Sequence, residues 1–385
     1  MSWRLQRVGF VVVILAVAAC GQGAVPSLRS SYPSTTPSPP AATAATTPAP
    51  TEPGPTEPPS IDAIAARVQV AADALVVART GTSVFLRVGA DERTVVAGLA
   101  SRSPRLEMTP DVRFQIASVS KAMTATIVMS LVEKGDLALD DRVEKWVPGL
   151  LADGNEITVE QLLTHSSGLF NFVELDSWSW VDQDYSAEEI VALAEDHGPA
   201  FPPGQRAEYS NTGYVVLGLI VEAVTGHALR DAMRSIVFEP AGMTGADLGT
   251  RPIDGLVQAH GYNSDGLDVT TEHLDGAAAA AGVVATARDV GAFLDALFDG
   301  KLIGAATVAD MATLHSRLRG KDPYGYGLSL AEFDCAHLVG HAGELRGFWT
   351  NAWRTVDGSR TVVVVVNDEP RFEEVAPILS AALCP

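Results

Sequence analysis

Cysteine is scarce in this chain, three in 385 residues, which rules out a disulfide-dense scaffold. Lysine is scarcer than arginine, and only five lysines occur. Basic charge is short overall: the formal net charge is −20, and −22 once the leader that carries Arg4 and Arg7 is removed. Such a chain offers no basic surface for nucleic acid and no electrostatic attraction to anionic lipid. The eight histidines form no H-E-x-x-H pair, which argues against a catalytic metal, and no cofactor is expected. The longest leader run, residues 8–19, is too short to span a bilayer as a helix, which takes about 20 residues. No second linker and no internal repeat interrupt residues 61–385, so this stretch reads as one folded unit of two intimately packed halves, expected to be a monomer.

What is present begins with targeting signals. Residues 1–19 combine a basic start, an apolar core and the small residues Val17-Ala18-Ala19 just before Cys20. That order is the pattern of a signal peptide, and it resembles a bacterial lipobox, in which Cys20 becomes the acylated first residue. Residues 20–60 hold almost nothing but Pro, Ser, Thr, Ala and Gly after the cysteine. With so little to bury they are expected to act as a disordered spacer. The implied location is the outer face of a bacterial cell membrane, reached through the lipid. In an exported protein, the remaining pair, Cys335 and Cys384, reads as a disulfide rather than two free thiols.

The globular part changes its hydrophobic period along the chain. Residues 83–88 and 94–99 read as strands joined by the Gly89–Glu92 turn. A long helical pattern follows Ser118 and stops at Gly135, and further helices are expected at Val159–Leu163, 187–195, 212–225 and Ala287–Phe298. Strands return at 326–330, 337–343, 348–354 and 361–366, with Asp357-Gly358 as a hairpin turn. The five valines 362–366 predict a strand covered on both faces. The fold class is therefore α+β (an α/β sandwich): N- and C-terminal strands share one antiparallel sheet flanked by helices, and the middle of the chain supplies an all-helical half.

Three short motifs carry chemistry. In Ser118-Val-Ser-Lys121, serine and lysine three apart share a helix face, with about 5–6 Å between Cβ atoms. The helix's positive end favours negative charge developing on Ser118, and an amine of lowered pKa can take its proton. In Tyr209-Ser-Asn211, a tyrosine hydroxyl near a lysine can relay a proton, and an amide two residues on can hold a carbonyl. In His341-Ala342-Gly343, a glycine on a strand lets a substrate backbone approach, and the strand edge offers main-chain hydrogen bonds. Each motif alone is weak, since a tyrosine that opens a buried helix is more often packing. Their order, S-x-x-K, then Y-x-N, then [K/H]-x-G, is far more specific.

With these residues the chain resembles the β-lactamase-related serine hydrolases, a family that includes class C β-lactamases, esterases and D-alanyl-D-alanine carboxypeptidases. The resemblance runs through nearly all of 61–385, and the carboxypeptidase type with histidine in the third motif is the nearest likeness. It implies the β-lactamase/transpeptidase-like fold, Ser118 as nucleophile, and Lys121 and Tyr209 as proton carriers, with the acylation base undecided between them. It also implies that Asn211 holds the acyl-side carbonyl, that the N–H groups of Ser118 and Glu344 form the oxyanion hole, and that His341 supplies a cation or a hydrogen bond. A cationic His341 would make activity sag at high pH. Cys335 and Cys384 fall where that type carries a disulfide. Substrates would be esters, cell-wall peptides or β-lactams.

The match fails at the third motif. The carboxypeptidase pattern is H-T-G-T, whereas this chain has His341-Ala342-Gly343-Glu344, and no arginine follows the Tyr-Gly-Leu stretch. A carboxylate at Glu344 about 4–5 Å from a substrate carboxylate repels it by roughly 3–4 kcal/mol at an effective dielectric near 20, unless Arg346 neutralises it. Esters or amides without a free carboxylate are then favoured, and esterase activity with little peptidase activity is the alternative reading. A catalytically silent binding lipoprotein is a further one, against which the intact Ser118, Lys121, Tyr209 and Asn211 speak. His165 is expected to be structural, and Trp178 and Trp180 either line a cleft or cover the helical half.

Overall fold

The computed structural model describes residues 59–175, 185–249, 257–271, 275–333 and 335–384. Cys20, Trp178 and Trp180 lie outside these. The main sheet has nine antiparallel strands in the order β3-β2-β1-β12-β11-β10-β9-β8-β7. They are β1 (Gly81–Val88), β2 (Asp91–Arg102), β3 (Arg105–Glu107), β7 (Ser316–Leu318), β8 (Asp322–Tyr324), β9 (Ser329–Phe333), β10 (Ala336–Leu345), β11 (Phe348–Thr355) and β12 (Arg360–Val366). The first strands of the described chain thus pair with its last, Val84 opposite Val364. A second, three-stranded sheet joins β4 (Phe114–Gln115), β6 (Val283–Ala285) and β5 (Asp247–Leu248).

The valine strand is covered on both faces, as its composition requires. Val362, Val364 and Val366 pack with the Ile61–Leu75 and Phe372–Leu383 helices, whereas Val363 and Val365 belong to the core shared with the helical half. On that second face the Ala287–Phe298 helix lies very close to β1. A Cβ on Gly291 would stand 2.2 Å from the Phe85 ring, so only glycine permits the approach.

The Ser120–Lys134 helix is the axis of the helical half. Ser120 to Leu131 are all buried, so the helix is packed on every side rather than along one stripe. Gly135, left-handed at φ +80°, ends it, with the Asp136 N–H donating to the Leu131 carbonyl at 3.0 Å. The Asn211–Thr225 helix packs beside it and ends at Gly226 in the same way.

Three sequence expectations change. The 326–330 strand begins at Ser329, because Gly327 takes φ +72° and the Gly325 N–H closes a turn onto the Leu328 carbonyl. The 187–195 helix runs on to His197. The Ile61–Leu75 and Phe372–Leu383 helices, which form a whole outer layer, have no counterpart in the sequence reading. Cys335 and Cys384 are disulfide-bonded with Cα atoms 5.6 Å apart, which ties the end of the last helix to the start of β10.

Candidate active site

Ser118 sits on a single 3-10 turn, Ala117–Val119, between β4 and the Ser120–Lys134 helix. The turn is forced: Ala117 carries φ +50°, a conformation that L-residues adopt at a cost. Ser120 locks it from behind, donating its hydroxyl to the Ala117 carbonyl at 2.7 Å and accepting the Val283 N–H at 3.1 Å. β10 presses on the front. A Cβ on Gly343 would lie 2.4 Å from the Ile116 oxygen and 3.0 Å from the Ser118 nitrogen, so the third motif needs glycine to bring the strand against Ser118.

That stretch of β10 has one open edge. β9 accompanies β10 only as far as Gly340, opposite Ser329, while β11 follows it to Leu345. From His341 onward, no described strand pairs with the edge on the β9 side, which leaves main-chain donors and acceptors for an extended ligand.

Lys121 is fully buried, and its Nζ lies 3.1 Å from Ser118 Oγ, 2.7 Å from Asn211 Oδ1 and 2.9 Å from the Ala280 carbonyl. Burial holds its pKa well below the usual lysine value. A neutral amine has two N–H bonds and one lone pair. The two carbonyl oxygens take the N–H bonds, and the lone pair is left facing Ser118 Oγ. Tyr209 is hydrogen-bonded to Ser118, and Lys121 Nζ stands 4.9 Å from its ring centroid. Burial raises the tyrosine's pKa, so its hydroxyl stays protonated at neutral pH.

Asn211 opens its helix and is held by a residue that motif reading missed. Asn171 Oδ1 accepts both the Asn211 backbone N–H (3.0 Å) and its side-chain Nδ2 (3.1 Å), which aims Oδ1 at Lys121. No short-range signal marks Asn171, which is 40 residues from Asn211.

Burial disfavours a charged His341, which favours the hydrogen bond over the cation of the two alternatives. Its Nδ1 pairs with the Ala342 carbonyl and its Nε2 accepts from the Tyr324 hydroxyl at 3.0 Å. Burial, with Lys121 nearby, pushes its pKa down to about 3. Its role is thus the hydrogen-bonding one, and it gives no reason for activity to sag at high pH. His165, at φ +57°, accepts the Ser210 N–H on Nδ1 at 3.2 Å and stacks on Tyr209 with ring centroids 4.3 Å apart. It shores up the second motif, in keeping with a structural role.

Ala342 is half-buried against the outer layer, and Glu344 is exposed. Although water reaches Glu344, surrounding protein desolvates its carboxyl and raises its pKa; the Trp349 indole N–H opposes the shift and Glu369 adds to it. Arg346 is not among the groups that set this shift. Glu344 is also close enough to Tyr209 to raise the tyrosine's pKa.

Residues 61–383 match the β-lactamase family model. The chain belongs to the β-lactamase family. It is 29% identical over 306 residues to penicillin-binding protein 4* of Bacillus subtilis, covering 74% of this chain and 67% of that protein. It is 29% identical over 356 residues to esterase EstB of Burkholderia gladioli, covering 80% and 88% of the two chains. Among solved structures, the D-amino acid amidase of Ochrobactrum anthropi SV3 superposes with a TM-score of 0.75 at 30% identity, covering 83% of this chain and 98% of the amidase. The chain spans about half the length of other curated relatives it matches. Family members thus include hydrolases of amide and ester bonds, and this chain is an enzyme of that hydrolase family.

Proposed function

We propose that the protein is an extracytoplasmic serine hydrolase that works through an acyl-enzyme on Ser118. The observation that carries this reading is the saturated contact set of Lys121, two carbonyl acceptors and one serine hydroxyl around a deeply buried amine. In acylation, Lys121 Nζ takes the Ser118 proton as Oγ attacks the substrate carbonyl carbon. The oxyanion is held by the N–H groups of Ser118 and Glu344, worth roughly 10²–10³ in rate per donor. As the tetrahedral intermediate collapses, the bond to the leaving group breaks. Tyr209 passes its proton to the leaving amine or alcohol and recovers one from Lys121. In deacylation, Tyr209 and Lys121 remove a proton from water, which attacks the ester and restores Ser118. Asn211, oriented by Asn171, holds the acyl-side carbonyl with its remaining Nδ2 hydrogen.

The substrate class is set at Glu344. Beside the oxyanion position, the Glu344 carboxylate disfavours a substrate carboxylate. Esters and amides that lack a free carboxylate fit better than D-alanyl-D-alanine termini, and the esterase and amidase relatives favour the same reading. Export and lipidation at Cys20 complete the proposal on the leader and spacer sequence alone. The test is covalent labelling of the purified protein with a fluorophosphonate and, in parallel, a fluorescent penicillin. Fluorophosphonate labelling lost in Ser118→Ala supports the acyl-enzyme, and penicillin labelling as well reopens the carboxypeptidase reading. Labelling by neither overturns the enzyme reading in favour of a silent binder.

A further inference from the structure

Three to five residues before Ser118, the chain buries a second polar centre that the proposed chemistry does not use. Arg113 is 1% exposed, and none of its three guanidinium nitrogens has a hydrogen-bond partner. Gln115 is 0% exposed and Gln258 9% exposed, and in both the amide nitrogen and oxygen are without partners.

These side chains share one face. Arg113 and Gln115 are two apart on one extended segment, so both point the same way. Gln258 bridges Arg113 in the neighbouring segment, with the Arg113 N–H donating to the Val257 carbonyl at 3.1 Å and the Ala259 N–H to the Arg113 carbonyl at 2.8 Å. Phe114, between them, points the opposite way into the core.

Among the described residues, no carboxylate lies within ion-pair distance of Arg113. Asp247 and Asp289 act on it only through space. Both are engaged elsewhere: Asp247 with Arg230 (Nε at 2.8 Å) and Arg234, Asp289 with Thr286 and the Gly245 N–H. A guanidinium stays protonated under all ordinary conditions, and a buried cation whose hydrogen bonds are unmade is costly even with the through-space attraction of Asp247 and Asp289. Donors also outnumber acceptors here, since the guanidinium and two amides present many N–H groups and only two carbonyl oxygens. A bound species must therefore accept hydrogen bonds and carry negative charge. The closed surroundings restrict it to a small ion.

We propose that Arg113, Gln115 and Gln258 form a buried binding site for a small inorganic anion of the halide class. The site is distinct from the catalytic centre but mechanically joined to it. Gln115 is followed by Ile116, whose N–H donates to the Val283 carbonyl at 3.0 Å, and then by the strained turn that carries Ser118. An ion under Gln115 braces the strand from which that turn springs.

The test compares the full protein in chloride, in bromide and in gluconate at equal ionic strength, gluconate being too large to enter. Chloride or bromide is expected to raise the melting temperature saturably, by about 2–4 °C, and to raise the rate of fluorophosphonate labelling of Ser118 in parallel. Arg113→Met, which keeps side-chain length without charge, is expected to lose both responses, and Gln258→Leu supplies the same comparison if the arginine variant does not fold. Crystals grown in bromide are expected to show an anomalous peak within hydrogen-bond distance of Arg113. Identical behaviour in halide and gluconate, or ordered water with no anomalous signal beside Arg113, overturns the proposal. A halide response that persists in the variants does so too.

Discussion

Two buried polar centres lie a few residues apart in this fold, and they differ in one respect. Around Ser118, each functional group has its partners: Lys121 has three, Asn211 is clamped by Asn171, and His341 is bonded on both ring nitrogens. Around Arg113, seven side-chain nitrogen and oxygen atoms have none. In the first centre Lys121, Asn211 and His341 are partnered as folded, and among the described residues only His165 Nε2 and Ser210 Oγ behind them are not, so the groups facing Ser118 are already arranged for proton transfer. The second is complete only with something added. Satisfaction of the polar atoms that face the site, rather than burial, is what separates the two centres.

Substitution of the two cations should break this comparison most plainly. Lys121→Met is expected to lower the acylation rate by about 10⁴-fold or more, because the proton acceptor is gone while the pocket remains, as stopped-flow labelling would show. Arg113→Met in halide-free buffer is expected to stabilise the fold by about 1–2 kcal/mol, since it removes a buried cation that has no hydrogen-bond partner, and urea unfolding reads this directly. A large stability loss in that buffer would mean that Arg113 already has its counter-charge.

Acid should act on the catalytic centre first. The folded pKa of His341 is about 3 against an ordinary value near 6.5, so the unfolded chain binds its proton more readily. This contribution to stability is fully present above pH 6.5 and is lost as pH falls through the window from 6.5 to 3. The expected loss at pH 4 is about 3 kcal/mol, measurable by urea titration and absent in His341→Phe. Activity should follow the neutral Lys121 amine: its depressed pKa means the rate falls on acidification and holds as pH rises toward 9. An alkaline sag below pH 9 would argue for a titrating group other than His341.

The disulfide offers a graded test away from both centres. It closes a 49-residue loop, so Cys384→Ser is expected to cost about 2–4 kcal/mol of stability with the labelling rate per folded molecule unchanged. The smallest effect expected is on selectivity. Glu344→Thr should raise the ratio of carboxylate-bearing to neutral substrate turnover by about tenfold, part of the unscreened repulsion, because Glu344 is exposed and water weakens it. An unchanged ratio would remove Glu344 from the specificity argument.

Much of the catalytic geometry was legible in the sequence, because S-x-x-K and Y-x-N are local patterns on helix starts and H-x-G is a local pattern on a strand. Gly343 shows the limit: its place on a strand predicts an approach for a substrate backbone, and the structure packs the chain's own residues 116–118 against it. The residues that tune the site were not legible. Asn171, Tyr324 and the Ala280 carbonyl reach their partners across 40, 17 and 159 residues of chain, and nothing in their own neighbourhoods marks them. The same distance hid the charge state of His341. A histidine's sequence position does not say whether water reaches it, and burial rather than motif made it neutral.

The first and last helices teach the converse. Ile61–Leu75 and Phe372–Leu383 carry apolar faces that a periodicity count could have found, yet their place on one side of the valine strand depended on the sheet that joins the two ends of the chain. By itself, then, the sequence determined the fold class through its local period, and it pointed to Ser118, Lys121 and Tyr209 through the ordered motifs that carry the family resemblance. Tertiary structure alone decided which groups are charged, which are partnered and which, like Arg113, are not. Desolvation and hydrogen-bond satisfaction are properties of what surrounds a residue, and those surroundings come from distant parts of the chain.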